Sequence, residues 1–249
     1  MSSSLGNVKL RLAFFSGNRC AFPGCVQALA TEDTPHAAGA IIGEAAHIVG
    51  EKLGSERHDP GFPKSKLNAF ENLIYLCPTD HTKLDKKGNG YSADTIRDWK
   101  VRHEAKVKEG IEDAIADVSF VELEIVTEAL LGAGKSLDCD LTLTPPNEKI
   151  AKNGLSNSVR FLLMVGLSQS EQVRVYIEQL AAIVPGFDAR LVSGFRERYL
   201  HLRSAHILGD DLFFSLNVFA SRQSSDLTIQ AAGLAVLSHL FETCDVFEK

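Results

Sequence analysis

Three cysteines among the first 80 residues constrain how the N-terminal part of this chain can fold. Cys20 and Cys25 flank the turn Ala-Phe-Pro-Gly, and Cys77 begins the segment Cys-Pro-Thr-Asp-His. A structural zinc ion takes four ligands in a tetrahedron, and a short turn supplies two of them without strain. Asp80 is the expected fourth ligand, with His36 as the alternative. The pattern therefore predicts a zinc site, and the competing interpretation is that the cysteines are small buried hydrophobic residues.

Length and composition restrict the class of protein. The chain has 249 residues, of which 45% are hydrophobic and 23% charged, a balance typical of a globular protein with one large domain or two modest ones. Its apolar runs are far shorter than the roughly 18 to 20 residues that span a bilayer, and we find no secretory signal at the N-terminus. We therefore expect a cytoplasmic protein whose five cysteines stay as thiols or metal ligands.

The net charge of −6 hides a difference between the two parts of the chain. Residues 1–110 carry 15 basic and 13 acidic side chains, a balance of +2, whereas the remaining residues carry 11 and 19, a balance of −8. A module that is not strongly acidic tolerates the phosphates of a nucleic acid. The distribution of charge thus favours two modules with different tasks.

Hydrophobic periodicity and turn residues divide the chain into three segments. We expect an N-terminal domain over residues 1–112, a linker with a short β segment over residues 113–142 and a mainly helical domain over residues 143–249. Apolar residues at three- and four-residue spacing predict helices over Leu5–Ser16, Asp94–Lys108, Val159–Leu167, Gln169–Ile183, Ala189–Leu202, Asp210–Phe219 and Leu227–Phe241. The segment Phe120–Leu130 is ambiguous between helix and strand, and alternation predicts a strand over Leu137–Leu143. The fold class expected is α+β.

Three polar residues follow one another in a distinctive order in the N-terminal domain. His47 stands in Glu-Ala-Ala-His-Ile, Asn72 in Glu-Asn-Leu-Ile, and His81 closes the segment that Cys77 begins. Together with the cysteine pair and the segment around Trp99, this order resembles the HNH nuclease family over roughly residues 13–106. The resemblance implies a ββα-metal fold, in which a two-stranded hairpin packs against one helix, with a zinc knuckle beside it.

The resemblance also implies roles for these residues in the hydrolysis of DNA phosphodiester bonds. His47 would act as the general base that takes a proton from water, a role suited to imidazole near neutral pH. His81 would bind a catalytic divalent cation, Mg²⁺ or Mn²⁺, which neutralises charge on the phosphate and on the departing oxygen. Asn72 would hold the loop and orient His47.

The chain departs from the family pattern at the residue before His47. Many members have an aspartate there as a second metal ligand, whereas this chain has Ala46. Asp85, one helical turn beyond His81, or Glu44 is then the expected source of the oxygen ligand that a hard cation prefers. Seven basic side chains are open to two interpretations, a solvated surface or contacts to phosphate: Arg57, His58, Lys64, Lys66, Lys83, Lys86 and Lys87.

The C-terminal part, roughly residues 143–249, resembles the C-terminal domains of effectors in bacterial ABC-three-component defence systems. The segments that carry this resemblance are Pro145–Ile150, Asn153–Ser156 and Leu240–Lys249. The resemblance implies an anti-phage role, with an ABC-type ATPase and a small middle component as partners; homo-oligomerisation is left open. An apolar stripe on the last helix is either a docking face or domain core, and consists of Leu227, Ala231, Leu234, Leu237, Leu240 and Phe241.

Two other functions compete with this one. In the first, Ala46 marks a degenerate domain that holds zinc and DNA without cutting. In the second, the C-terminal domain binds a nucleotide second messenger that gates the nuclease. A nucleotide site at Leu131–Ser136 finds no support, because Ala129 stands where the phosphate-binding loop needs its first glycine. A serine hydrolase finds none either, because the chain has no Gly-x-Ser-x-Gly motif.

Overall fold

The computed structural model describes residues 5–31, 40–88, 90–131, 146–244 and 246–248. In these ranges the chain is α+β and mostly helical, as the sequence predicts, with one two-stranded antiparallel sheet made of β1 (Glu44–His47) and β2 (Leu73–Leu76). The helices are α1 (Leu5–Phe15), α2 (Pro78–Asp85), α3 (Ala93–Ala116), α4 (Phe120–Leu130), α5 (Pro146–Lys152), α6 (Asn157–Leu167), α7 (Ser170–Ile183), α8 (Phe187–Ser204), α9 (Gly209–Ala220) and α10 (Leu227–Thr243). The chain forms two compact units: unit 1 holds the residues up to Gly110 and Gln223–Ser225, and unit 2 holds the others from Ile111 onward.

Unit 1 is built around the hairpin of β1 and β2. Glu44 pairs with Leu76 and His47 pairs with Leu73, so the two ends of the short sheet are in register. All four residues of β2 are buried, as expected for a strand that reads as a continuous apolar run, whereas β1 is only partly buried. α1 packs against both strands. Because β2 is buried, the polar side chains at the surface of this hairpin come from β1.

The helix α2 begins immediately after β2. Pro78 occupies its first turn, where a missing N–H costs nothing, and Cys77 caps the helix by accepting a hydrogen bond from the backbone N–H of Asp80. Residues four apart on a helix share a face, so His81 and Asp85 lie on one side of α2. Asp80 is buried. One short helix thus carries a polar pair on one face and a buried acid on another.

Unit 2 is an assembly of helices around α10. Every residue from Gln230 to Phe241 is buried, and α10 packs against α4, α6, α7 and α9. Burial all round is the pattern of a core helix rather than that of a surface helix with one apolar stripe. The stripe that the sequence offered as a docking face is therefore domain core, since five of its members are at most 2% exposed: Ala231, Leu234, Leu237, Leu240 and Phe241.

The segment assigned to a linker is largely helical where the structure describes it. α3 extends to Ala116, and α4 follows it and packs against α10 within unit 2. Ser119 and Glu122 form a capping box at the start of α4, a signal that Ser-x-x-Glu provides in the sequence itself. Burial holds α4 in place, since three of its side chains are at most 1% exposed: Leu123, Val126 and Leu130. The strand expected over Leu137–Leu143 lies outside the described residues.

The helices expected from apolar spacing all form close to their expected bounds, except that α3 continues well beyond Lys108. Ile111 and Ile115 are buried and extend its apolar face. The seven-residue helix α5 was not expected, because it is too short to show a period. The buried ammonium of Lys149 ties it to the end of α10 by donating to the carbonyl of Phe241 at 2.6 Å. None of the helices in the described ranges is long and apolar enough to cross a membrane.

Candidate functional site

The first candidate site is a cluster of three cysteines and one aspartate in unit 1. The Sγ atoms of Cys20, Cys25 and Cys77 and a carboxylate oxygen of Asp80 all lie within 4.8 Å of one another. Asp80 Oδ2 is 3.4 Å from Cys20 Sγ and 3.2 Å from Cys77 Sγ. All but the half-buried Cys25 are buried. Such a group could hold a tetrahedral metal ion such as zinc, and among the residues that the structure describes no other set of three or more metal-binding side chains converges in this way.

Two tight turns bring the thiols together. In the first, the N–H of Cys25 donates to the carbonyl of Phe22 at 3.0 Å, and Gly24 adopts a φ of +80°, which favours glycine. In the second, Cys77 caps α2, and its own N–H lies 3.3 Å from Cys20 Sγ. Backbone contacts in both turns therefore bring the thiols close to one another.

Burial and the neighbouring Lys83 set the protonation states of the cluster. Burial raises the pKa of the Cys20 and Cys77 thiols, so both keep their protons until a metal ion displaces them, as coordination does for thiols. Burial also acts to raise the pKa of Asp80, but the Lys83 ammonium, 2.7 Å from Oδ1, and the thiols that donate to the carboxylate together hold that pKa well below its usual range. Asp80 is therefore a carboxylate that turns one oxygen to the thiols and the other to Lys83.

The second candidate site is a polar group around His81, which joins β1 to α2. His81 Nδ1 lies 2.7 Å from Glu44 Oε2, and His81 Nε2 lies 3.2 Å from Asp85 Oδ2. These three residues line an open pocket of about 530 Å³ together with Thr82 and Lys86. The two carboxylates face opposite nitrogens of the ring, so the ligand atoms do not converge on one point as those of the cysteine cluster do.

The donor set of this pocket fits a hard divalent cation. Carboxylate oxygens are the ligands that Mg²⁺ and Mn²⁺ prefer in proteins, and Glu44 and Asp85 supply them here. The carboxylates of Glu44 and Asp85 are about half exposed, which leaves room for the water ligands that Mg²⁺ retains. A divalent cation at this place would replace one carboxylate as the partner of a His81 ring nitrogen.

His47 lies at the end of β1, beside a residue that the sequence analysis did not single out. His47 Nε2 is 2.9 Å from Asn68 Oδ1. An amide oxygen only accepts, so Nε2 carries the proton and Nδ1 of the neutral ring keeps a lone pair. The pocket lining around His81 does not include His47. Asn68 belongs to no motif, and only its contact with the ring identifies it.

Asn72 fastens the loop that follows β1. Its buried side chain accepts from the N–H of Val49 at 2.9 Å and donates to the carbonyls of Val49 at 3.2 Å and Leu67 at 2.9 Å. Asn72 therefore holds the backbone two residues beyond His47. The hydrogen bond of the His47 ring goes to Asn68 rather than to Asn72.

The burial of Ala46 explains why a carboxylate is found elsewhere on β1. Ala46 is 0% exposed and belongs to the core of unit 1. An aspartate at this position would place a charge among apolar side chains, which is costly without a partner. Glu44, two residues earlier, brings its carboxylate to His81. His36, the alternative ligand for the cysteine cluster, lies outside the described residues.

The basic side chains near these sites differ in their exposure. Lys64, Lys66, Lys86 and Lys87 are exposed, as both interpretations of them require. Lys83 is engaged with Asp80. The side chain of Arg57, by contrast, is only 6% exposed. Arg57 is therefore neither a solvated surface residue nor free to contact phosphate.

Comparison with known proteins assigns no family to the chain. The sequence matches no protein-family model, and no curated protein is significantly similar to it. The function must therefore be argued from the two sites themselves.

Proposed function

We propose that the chain is a metal-dependent endonuclease of the HNH type that hydrolyses DNA phosphodiester bonds. The observation that carries this proposal is the contact of His81 with Glu44 from β1 and Asp85 from α2 at the edge of an open pocket. Support also comes from the order of the elements, since a hairpin that bears His47 is followed directly by a helix that bears His81.

Each residue of the proposed site has a distinct task. His47 is the general base: Nδ1 accepts the proton of the attacking water while Nε2 stays bonded to Asn68. His81 is the ligand for Mg²⁺ or Mn²⁺, and Glu44 and Asp85 supply the oxygens. The cation, when bound, neutralises charge on the phosphate and on the departing 3′-oxygen. Asn72 keeps the loop after β1 in place.

The cysteine cluster has a structural task in this proposal. Zinc held by Cys20, Cys25, Cys77 and Asp80 anchors the first turn of α2, and Asp80 directly precedes His81 in the chain. The same short helix then connects a closed structural site to an open catalytic one. Closed four-ligand sites are typical of structural zinc, and open sites are typical of catalytic metals.

The test is the nicking of supercoiled plasmid DNA by the purified full chain in the presence of Mg²⁺ or Mn²⁺. We expect the wild-type chain to convert the plasmid to its open-circular form. His81→Ala should lower the rate by about 100-fold or more, because the cation contributes several kcal/mol and each 1.4 kcal/mol is worth about tenfold. His201→Ala, on an exposed position of α8, is the matched control and should nick at the wild-type rate.

The same assay separates the competing functions. A chain that shifts the plasmid in a gel but never nicks it would be the degenerate DNA-binding module that Ala46 suggested. A chain that nicks only after a cyclic oligonucleotide is added would be a nuclease gated by a second messenger. Cleavage with cation alone would favour the ungated endonuclease.

The resemblance of the C-terminal part supports a wider setting for the nuclease. We propose a cytoplasmic anti-phage effector that an ABC-type ATPase and a small middle component control. Because the apolar stripe of α10 is core, docking has to use other helix faces of unit 2. Co-expression with the two components tests this setting: a complex recovered on the tagged chain supports it, and recovery of the chain alone contradicts it.

A further inference from the structure

Arg57 lies in the long loop between β1 and β2 and is almost fully enclosed, with a side-chain exposure of 6%. Its Nε donates to the carbonyl of Ile48 at 2.9 Å, and one terminal nitrogen donates to the carbonyl of Leu84 at 2.8 Å. The other terminal nitrogen donates to the carbonyl of His47 at 3.2 Å and to Asp85 Oδ1 at 3.0 Å. One guanidinium thus makes four hydrogen bonds.

The four acceptors belong to the two elements that carry the proposed catalytic groups. His47 and Ile48 stand at the end of β1, and Leu84 and Asp85 stand at the end of α2. Asp85 uses its two oxygens differently, since Oδ1 faces Arg57 while Oδ2 faces His81. Arg57 therefore contacts the backbone of the proposed base and the side chain of a proposed oxygen ligand.

We propose that Arg57 is a positioning residue of the endonuclease site. It holds the end of β1 at a fixed distance from the end of α2, and it orients Asp85 so that one oxygen stays available beside His81. The inference rests on the proposed function, because it assigns a task within that site. The inference also excludes Arg57 from the basic residues that could contact phosphate.

Only an arginine can make this set of contacts from one side chain. The planar guanidinium presents donors on three nitrogens in a fixed fork, whereas a lysine ammonium presents its donors from a single atom. A lysine at position 57 keeps the positive charge but cannot reach Ile48, Leu84 and Asp85 together. Mutation of a residue that hydrogen-bonds to a metal ligand typically lowers metal affinity or activity by about 10- to 100-fold.

Arg57→Lys in the full chain separates positioning from phosphate binding. Plasmid nicking is measured against DNA and Mg²⁺ concentration, and DNA binding is measured against salt. Positioning predicts that kcat falls by about 10- to 100-fold and that the Mg²⁺ concentration for half-maximal rate rises, while KM for DNA and the salt slope of binding stay at wild-type values. A phosphate contact predicts the reverse, with a salt slope reduced by about one.

Two further variants calibrate the comparison. Arg97→Lys, on the exposed face of α3 where Arg97 pairs with Asp94, tests the same substitution in unit 1 and should leave every parameter unchanged. Lys86→Gln removes an exposed cation from the pocket rim, and should reduce the salt slope. A wild-type kcat in Arg57→Lys, or a salt slope that changes as in Lys86→Gln, would overturn the inference while leaving the proposed function intact. A wild-type chain that does not nick would refute both.

A second measurement uses the wild-type chain, so its outcome does not depend on whether a variant folds. The Nε–H of Arg57 is enclosed and bonded to Ile48, so its NMR resonance should exchange slowly with water. Addition of Mg²⁺ should shift that resonance, because the cation draws on the carboxylate of Asp85 that Arg57 holds. Rapid exchange, or a resonance that saturating Mg²⁺ leaves in place, would contradict the positioning role.

Discussion

At the scale of single residues, the hydrogen bond between His47 Nε2 and Asn68 Oδ1 decides which nitrogen can accept a proton. We expect His47→Ala to lower the single-turnover nicking rate by about 10²- to 10⁴-fold, the usual contribution of a general base. Asn68→Ala keeps His47 but removes the hydrogen bond to its ring, and should lower the rate by about 10- to 100-fold. Asn68→Asp keeps an acceptor for Nε2 but adds a negative charge that stabilises the imidazolium, and should retain more of the rate than Asn68→Ala. A His47→Ala chain that retains more than a tenth of the rate would refute the assignment.

The residues of the sites were predictable from the sequence only where residue type and spacing are both restrictive. Cys20, Cys25 and Cys77 are rare residues in short turns, and the structure places them around Asp80 as expected. Arg57 and Asn68 lie in a long irregular loop, where no period or motif indicates which side chains turn inward. Their roles depend on contacts across the fold that only the structure reveals.

At the scale of secondary structure elements, α2 depends on the cysteine cluster. Cys77 both joins the cluster and caps α2, and the free energy of binding a structural zinc ion is largely folding free energy. We expect one zinc ion per wild-type chain by elemental analysis. Cys77→Ser should lose the zinc and lower the unfolding midpoint of unit 1 by about 10 °C, which corresponds to about 2 kcal/mol for a unit of this size.

A cysteine outside the cluster provides the control for that experiment. Cys244 is buried in unit 2, where its thiol donates to the carbonyl of Leu240. Cys244→Ser should therefore keep one zinc ion per chain. Zinc-free wild-type protein, purified without chelators, would show that the cluster is a packed group of thiols with a carboxylate.

The elements were predictable to different degrees for physical reasons. Apolar residues at three- and four-residue spacing indicate helices, and α6 to α10 form close to the bounds that this spacing predicts. α4 was ambiguous because its apolar residues fall on more than one face, although its capping box at Ser119 and Glu122 was readable. The stripe of α10 could not be assigned from the sequence, since core and docking helices both have apolar faces.

At the scale of the whole molecule, the stability of unit 2 should depend on pH through a buried histidine. Burial, followed by the positive charge of Arg174, lowers the pKa of His239 to about 4. Its Nδ1 is 2.8 Å from the hydroxyl of Ser170, which donates to Glu242. The unfolded chain then binds more protons than the folded one between pH 4 and about 6.5. Stability is full above that window and is lost as the pH falls through it.

Urea unfolding at pH 7 and pH 5 measures this linkage. The wild-type chain should lose about 2 kcal/mol of unfolding free energy at pH 5 through His239. His239→Gln removes the titrating group and should reduce the loss by that amount, whereas His201→Gln, at an exposed position of α8, should not. Equal pH dependence in all three chains would show that His239 does not control the acid sensitivity of unit 2.

For the whole molecule, we propose two metal sites with different tasks. The closed zinc cluster stabilises the fold, and the open site at His81 binds the cation for DNA hydrolysis. The most direct test passes the purified chain over a chelating resin, verifies one zinc ion per chain by elemental analysis, and follows plasmid nicking as Mg²⁺ is added back. We predict no nicking by the zinc-loaded chain alone and a rate that rises to saturation with Mg²⁺. Full nicking before any Mg²⁺ is added, or none at saturating Mg²⁺ or Mn²⁺ with the zinc in place, would contradict the account.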